Sequence, residues 1–129
     1  MIVLDTDVLI EIFDKGSERG EEALKAVLEG GEDIATTSIN LHEILYGLEK
    51  YAKLVKDVLL LPVLGYTKRD ARLSAEIELE AERRGEPVRR LDSMIAAIAM
   101  NFGASLYTFD LKHFQPLADM GLELFPSID

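Results

Sequence analysis

The chain has 129 residues, no cysteine and a formal net charge of −10. That length supports one cored domain and excludes two ordinary ones, while the missing thiols exclude disulfide stapling and thiolate chemistry. A pI near 4.6 argues against passive, non-specific nucleic-acid binding; it leaves a nuclease open, because bound cations reverse the local sign, and it suits a basic partner equally well.

Met1-Ile2-Val3-Leu4-Asp5 has no basic flank and no long apolar core, so it does not read as a signal peptide. No stretch is long enough to cross a bilayer, and a cytoplasmic protein is the default expectation. Ile2 to Leu4 reads as a short buried strand. A helix starts near Asp7 with Val8, Leu9, Ile10 and Phe13, and Asp14-Lys15-Gly16-Ser17 interrupts it. Ser17 caps a second helix through Ala23, Leu24, Val27 and Leu28, which Gly30-Gly31 ends. Ile34 to Thr37 is a second strand. The next helix carries Leu41, Ile44, Leu45 and Leu48 on one face, and a further helix is expected over Lys50 to Leu59.

Leu60 to Leu64 contains a third strand, confined to an edge by Pro62. Thr67-Lys68-Arg69-Asp70 has capping-box spacing and opens a long charged helix ending near Gly85. Leu91 to Phe102 is an apolar helix with Gly103 as its C-cap; Ala104 to Tyr107 and Leu122 to Phe125 are the fourth and fifth strands. Strands alternate with helices throughout, with no repeat or long linker. The expected fold is therefore α/β: one domain over residues 1–129, a three-layer α/β/α sandwich around a mostly parallel five-stranded sheet.

Asp5 and Asp110 follow the first and fourth strands, where parallel sheets open their crevices. Glu43 and Asp92 lie near the starts of two helices and could reach the same edge. Each has an ordinary structural use: Asp5 and Asp110 as turn or cap residues, Glu43 as N3 of a capping box begun by Asn40, and Asp92 as a helix cap. Asp7 could cap the first helix and leave Asp5 free. Together, four carboxylates would repel one another unless protons or cations intervened. Oxygen ligands suit Mg²⁺ or Mn²⁺, and His42 and His113 form no familiar zinc motif. Thr6 and Thr108 are candidate supporting hydroxyls. The small Ala96, Ala97 and Ala99 permit close packing of the Asp92 helix on the sheet.

Four segments carry a family resemblance: Val3-Leu4-Asp5-Thr6-Asp7-Val8-Leu9-Ile10, Ser38-Ile39-Asn40-Leu41-His42-Glu43-Ile44-Leu45-Tyr46-Gly47, Leu91-Asp92-Ser93-Met94-Ile95-Ala96-Ala97 and Leu106-Tyr107-Thr108-Phe109-Asp110-Leu111-Lys112-His113-Phe114. In that order they resemble the motifs of PIN-domain ribonucleases, particularly VapC-like toxins of type II toxin–antitoxin pairs. The chain departs from that pattern where related proteins often have asparagine at the position of Asp110 and aspartate at that of His113. The resemblance implies Mg²⁺- or Mn²⁺-dependent hydrolysis of single-stranded RNA, with Asp5, Glu43 and Asp92 collecting the metal and Asp110 completing the pocket. It also implies an antitoxin partner and homodimerisation; Leu45, Tyr46, Leu48 and Tyr51 could pack internally or against a partner. Arg89 and Arg90 are candidate RNA-phosphate contacts, Arg90 being preferred for its proximity to Asp92. His113 either reaches phosphate or packs beside Phe114, with no orienting partner evident in the sequence. A catalytically silent interaction module, a structure-specific DNA nuclease and a phosphotransferase using Asp5 and Asp7 are the competing expectations.

Overall fold

The computed structural model describes residues 1–127. Five strands form one sheet: β1 (Ile2–Leu4), β2 (Ile34–Thr37), β3 (Val63–Leu64), β4 (Ser105–Tyr107) and β5 (Glu123–Phe125). Their spatial order is β3-β2-β1-β4-β5, and every neighbouring pair is parallel. The helices are α1 (Thr6–Leu9), which runs into a π-helical segment (Ile10–Lys15), then α2 (Glu18–Glu29), α3 (Ser38–Lys50), α4 (Lys68–Arg83), α5 (Arg90–Asn101) and α6 (Leu111–Ala118). The first strand is thus central. The chain steps outward from it to β2 and β3, then returns to build β4 and β5 on its other side. This reversal leaves a crevice beyond the carboxyl ends of β1 and β4.

Strand alternation explains the three layers. Ile2 and Leu4 face a core containing Val8, Leu9, Ala23, Val27, Ile44 and Leu48, whereas Val3 faces Ile77, Ile95, Ala96, Phe114 and Leu117 on the other side. Tyr107 and Phe125 lie on the first side, Leu106 and Leu124 on the second. Ala96, Ala97 and Ala99 are fully buried, so α5 packs against the sheet through methyl-sized side chains. Gly103, at φ 63°, ends that helix in the left-handed conformation, with Ala104 N–H donating to the Ala99 carbonyl.

The expected helix over Lys50 to Leu59 is absent, apart from a 3₁₀ turn at Val58–Leu60. The helix before it closes in a Schellman motif: Lys53 N–H donates to Leu48 O and Ala52 N–H to Glu49 O. Ala52 occupies the left-handed position at φ 54°. With alanine where glycine usually marks such an end, the stop signal is invisible in sequence. Leu54 is 91% exposed and Val58 is buried, so the apolar residues here do not form the single stripe a packed helix needs. Asp110 stands at the N-cap position of α6 but makes no side-chain cap bond; Pro116 sits in the last turn of that helix, while Phe114 and Leu117 anchor it to the core.

Helix α2 crosses the π-helical segment at Gly20. A methyl group there would lie 2.1 Å from the Glu11 carbonyl oxygen, a backbone atom that cannot swing aside. Gly20→Ala should therefore destabilise the fold by about 1–3 kcal/mol, as overpacking does. Urea unfolding of the purified variant checks this; an unchanged midpoint would refute the close approach.

Candidate active site

The register of β1 against β4 pairs Leu4 with Tyr107, which brings the next residues, Asp5 and Thr108, side by side. Asp5 N–H continues the ladder to Tyr107 O at 2.9 Å. The Asp5 carboxylate is only 6% exposed and is fully engaged. Its Oδ1 accepts from Thr6 N–H and from Asn40 Nδ2, both at 2.9 Å, and its Oδ2 accepts from Thr108 Oγ1 at 2.7 Å. Thr108 Oγ1 in turn accepts from Asp110 N–H at 3.0 Å, fixing the turn after β4.

Glu43 approaches from α3. That helix begins earlier than expected: Thr37 is its N-cap and accepts from Asn40 N–H at 3.1 Å. Asn40, not Glu43, therefore holds the N3 position, and the capping-box reading of Glu43 is corrected. Glu43 instead lies past the first turn, where Oε1 accepts from Thr6 Oγ1 at 2.9 Å. Asn40 is fully buried and fully used, since Nδ2 also donates to Thr6 Oγ1 and Oδ1 accepts from Thr37 Oγ1. Asn40, expected as the start of that capping box, instead supports Asp5; the sequence signal for this role is a polar residue on the otherwise apolar inner face of α3.

Asp92 lies in the first turn of α5 but does not cap it; Arg89 is the N-cap residue and makes no side-chain cap. Arg89 instead spans two acids. Its Nε donates to Asp92 Oδ2 and its Nη2 to Asp110 Oδ2, each at 2.6 Å. Arg90 points to a different partner, donating twice to Glu78 at 3.0 Å. His113 does have an orienting neighbour, Nδ1 lying 2.7 Å from Asp110 Oδ1. Asp7 is not the cap of α1, a position held by Asp5. Its Oδ2 accepts from Phe109 N–H at 3.1 Å, while Oδ1 is buried without a partner.

Asp5, Glu43, Asp92 and Asp110 thus share one cleft of about 370 Å³, together with Asp7 and Arg89. The electrostatics reflect the crowding. Burial pushes the Asp5 carboxyl up to about 6; the Thr108 hydrogen bond opposes this, and the charges of Asp7 and Asp92 add to it. Burial likewise raises Asp7 and Asp92, in the latter case against the pull of Arg89. Burial acts on Asp110 too, but there the hydrogen bonds from His113 and Arg89 win and hold it below its ordinary value. One guanidinium serves both acids, and the more deeply buried Asp92 keeps the upward shift.

Among the described residues, no three aspartate, glutamate or histidine side chains converge as a ready metal-binding group. The donor chemistry nonetheless fits a hard divalent cation. Every acidic donor is an oxygen, Asp7 Oδ1 is an orphaned buried acceptor, and the buried Asp5 carboxylate is hydrogen-bonded but, among the described residues, paired with no cation. Arg89 already bonds both Asp92 and Asp110 at this cleft.

Residues 2–119 match the family model of the PIN domain. No curated protein matches the chain. Among solved structures, it is similar to a chain of Rickettsia felis VapBC2 bound to a promoter DNA fragment, at 26% identity and a TM-score of 0.79, covering 96% of this chain and 97% of that one. It is also similar to a chain of DNA-bound VapBC from Salmonella typhimurium (28% identity, TM-score 0.71, 95% of each chain). A chain of FitAcB from Neisseria gonorrhoeae matches at 26% identity and a TM-score of 0.73, over 97% of this chain and 96% of that one.

Asp5 also sets a pH dependence. Its carboxyl sits near 6 when folded and near 3.8 when exposed, so the folded chain binds this proton more tightly. The resulting stabilisation is fully present below the unfolded value and is lost as pH rises through about 6. Asp7 and Asp92 act in the same sense, whereas the contribution of Asp110 is lost only at lower pH, as its depressed value is crossed. Without added metal, stability should fall between pH 4 and 7 by up to about 3 kcal/mol from Asp5 alone. Asp5→Asn should flatten that slope. Chemical denaturation across the range tests it, and identical slopes for the two proteins would contradict the assignment.

Proposed function

Because this chain belongs to the PIN-domain family, we propose that it is a metal-dependent endoribonuclease cleaving single-stranded RNA, and the VapC-like toxin of a toxin–antitoxin pair. The observation that carries the reading is the shared cleft: four acids from separate parts of the chain line it, in the order of the family motifs. In this proposal Asp5, Glu43 and Asp92 hold Mg²⁺ or Mn²⁺, and Asp110 completes the acidic wall. When bound, the cation supplies Lewis-acid polarisation of the phosphodiester and acidifies water. Thr108 and Asn40 orient Asp5, and Thr6 orients Glu43, so the acids meet a substrate already aligned. Arg89 lies at the cleft with about half of its side chain exposed, within reach of an RNA phosphate. Arg90, held by Glu78, is the weaker of the two phosphate candidates, and His113 stands at the rim beside Asp110.

The similarity to chains of VapBC and FitAcB complexes supports a partner protein, here an antitoxin, and the net charge of −10 suits a basic binding segment. Homodimerisation belongs to the same proposal. Leu48 is buried in the core, but Tyr46 and Tyr51 are 57% and 68% exposed, leaving aromatic surface for a partner. Among the described residues no helix is long and apolar enough to cross a membrane; a cytoplasmic site of action belongs to the same proposal. One observation favours a second reading, a catalytically silent interaction module: Arg89 already pairs with two of the acids, Asp92 and Asp110.

Cleavage assays separate the two. Asp5→Asn and Asp92→Asn should each reduce Mg²⁺- or Mn²⁺-dependent cleavage of single-stranded RNA by more than about a hundredfold while retaining the fold, and Asp110→Asn should lose less. Undiminished cleavage by Asp5→Asn would sink the nuclease assignment. A wild-type protein that neither binds Mn²⁺ nor cuts RNA would favour the silent module.

A further inference from the structure

Arg89 has a chemical position that phosphate binding does not account for. The cleft gathers Asp5, Asp7, Glu43, Asp92 and Asp110. Among the described residues, Arg89 is the one lysine or arginine in ion-pair contact with any of them. Its two bonds, each 2.6 Å, take an Oδ2 from Asp92 and an Oδ2 from Asp110. These are short, charge-assisted bonds of the stronger kind. A divalent ion held by the same carboxylates would stand close to the guanidinium charge, and unit charges a few ångströms apart repel strongly away from bulk water. The guanidinium and the ion therefore compete for these acids.

Two further features make the arginine the exchangeable partner. Asp92 is fixed in the first turn of α5, and its side chain is 10% exposed, whereas the Arg89 side chain is 54% exposed. The next turn of α5 is locked to α4: Ser93 Oγ donates to Arg90 O at 2.7 Å, so Ser74 supplies the proton of the 3.0 Å bond between the two serines. The backbone that carries Asp92 cannot shift without disturbing the contact between two helices. The arginine can swing into water without disturbing the core.

From this geometry we infer that Arg89 is an internal counter-cation that competes with the divalent ion for Asp92 and Asp110 and is released from them when the ion binds. The inference rests on the metal-dependent reading above. It explains how Asp92 and Asp110 stand side by side at the cleft. It also makes Arg89 available to a substrate phosphate only in the metal-loaded state.

The alternative is a fixed clamp that pre-aligns the two acids, and the two models predict opposite signs. Under competition, Arg89→Gln binds Mn²⁺ more tightly than wild type, by roughly tenfold by isothermal titration calorimetry, and Arg89→Lys, which cannot bridge both acids, falls between them. Under a clamp, Arg89→Gln binds Mn²⁺ equally or more weakly, which overturns the inference. A second measurement uses the unmodified protein and does not depend on variant folding. In an Mg²⁺ titration followed by ¹⁵N NMR, the Arg89 Nε–H signal should move to the position of solvent-exposed arginines with the same midpoint as the backbone amides of Asp5 and Asp92. An Arg89 signal that stays in place while those amides saturate refutes the exchange. If neither wild type nor Arg89→Gln binds either ion, the metal-dependent reading itself has failed and this inference falls with it, a pattern distinct from binding without exchange.

Discussion

A buried carboxylate at the junction of two parallel strands constrains this structure more than any other group. Asp5 is removed from water in a region that already holds four more acids. An ionised group in that position is tolerable only if its oxygens are hydrogen-bonded. The chain supplies a backbone N–H, an asparagine amide and a threonine hydroxyl, drawn from α1, α3 and the end of β4. Those donors meet only if β1 lies between β2 and β4, in the register observed. The polar site and the sheet order are therefore one requirement.

The division between fixed and movable charge follows from how each element is packed. Asp5 and Asp92 are placed by buried backbone: a central strand in one case, and in the other a helix whose alanines let it lie close to the sheet. The α4–α5 pair is locked at two levels, by the serine bond near the start of α5 and by Asn101 donating to the capping-box residue Asp70 near its end. Arg89 stands just before this locked region, on a segment without a side-chain cap. Rigidity and mobility thus adjoin within four residues, a useful arrangement where a site must hold its acids still and let a counter-charge leave.

The overall acidity and the local chemistry answer different questions. A charge of −10 disfavours adherence to nucleic acid at large, so under the proposed function contact with RNA would be concentrated at a few cations beside the cleft. Arg89 is such a cation, and its hydrogen bonds to Asp92 and Asp110 raise its own affinity for the proton, keeping it charged throughout.

The five strands, most of the helices and the acids at strand ends were legible in the sequence, because they rest on local patterns: alternation along β1, caps at Ser17 and Thr67, and a glycine after α5. The helix misplaced over residues 50–59 shows where local patterns fail, since Ala52 closes α3 with a backbone geometry that its residue type disfavours. Asn40 took the N3 position expected of Glu43, and Glu43 moved past the first turn, because the true cap, Thr37, lies at the end of a strand. The partnership of Arg89 with both Asp92 and Asp110 had no local signature at all; it joins residues 21 positions apart, and Arg90 is as close in sequence. By itself the sequence determined which chemical groups would stand at the carboxyl edge, because strand periodicity and chain direction fix that. Only tertiary structure decided which of them touch, because hydrogen bonds a few ångströms long depend on how helices are set against the sheet, and neighbouring residues of one chain segment can point to different partners.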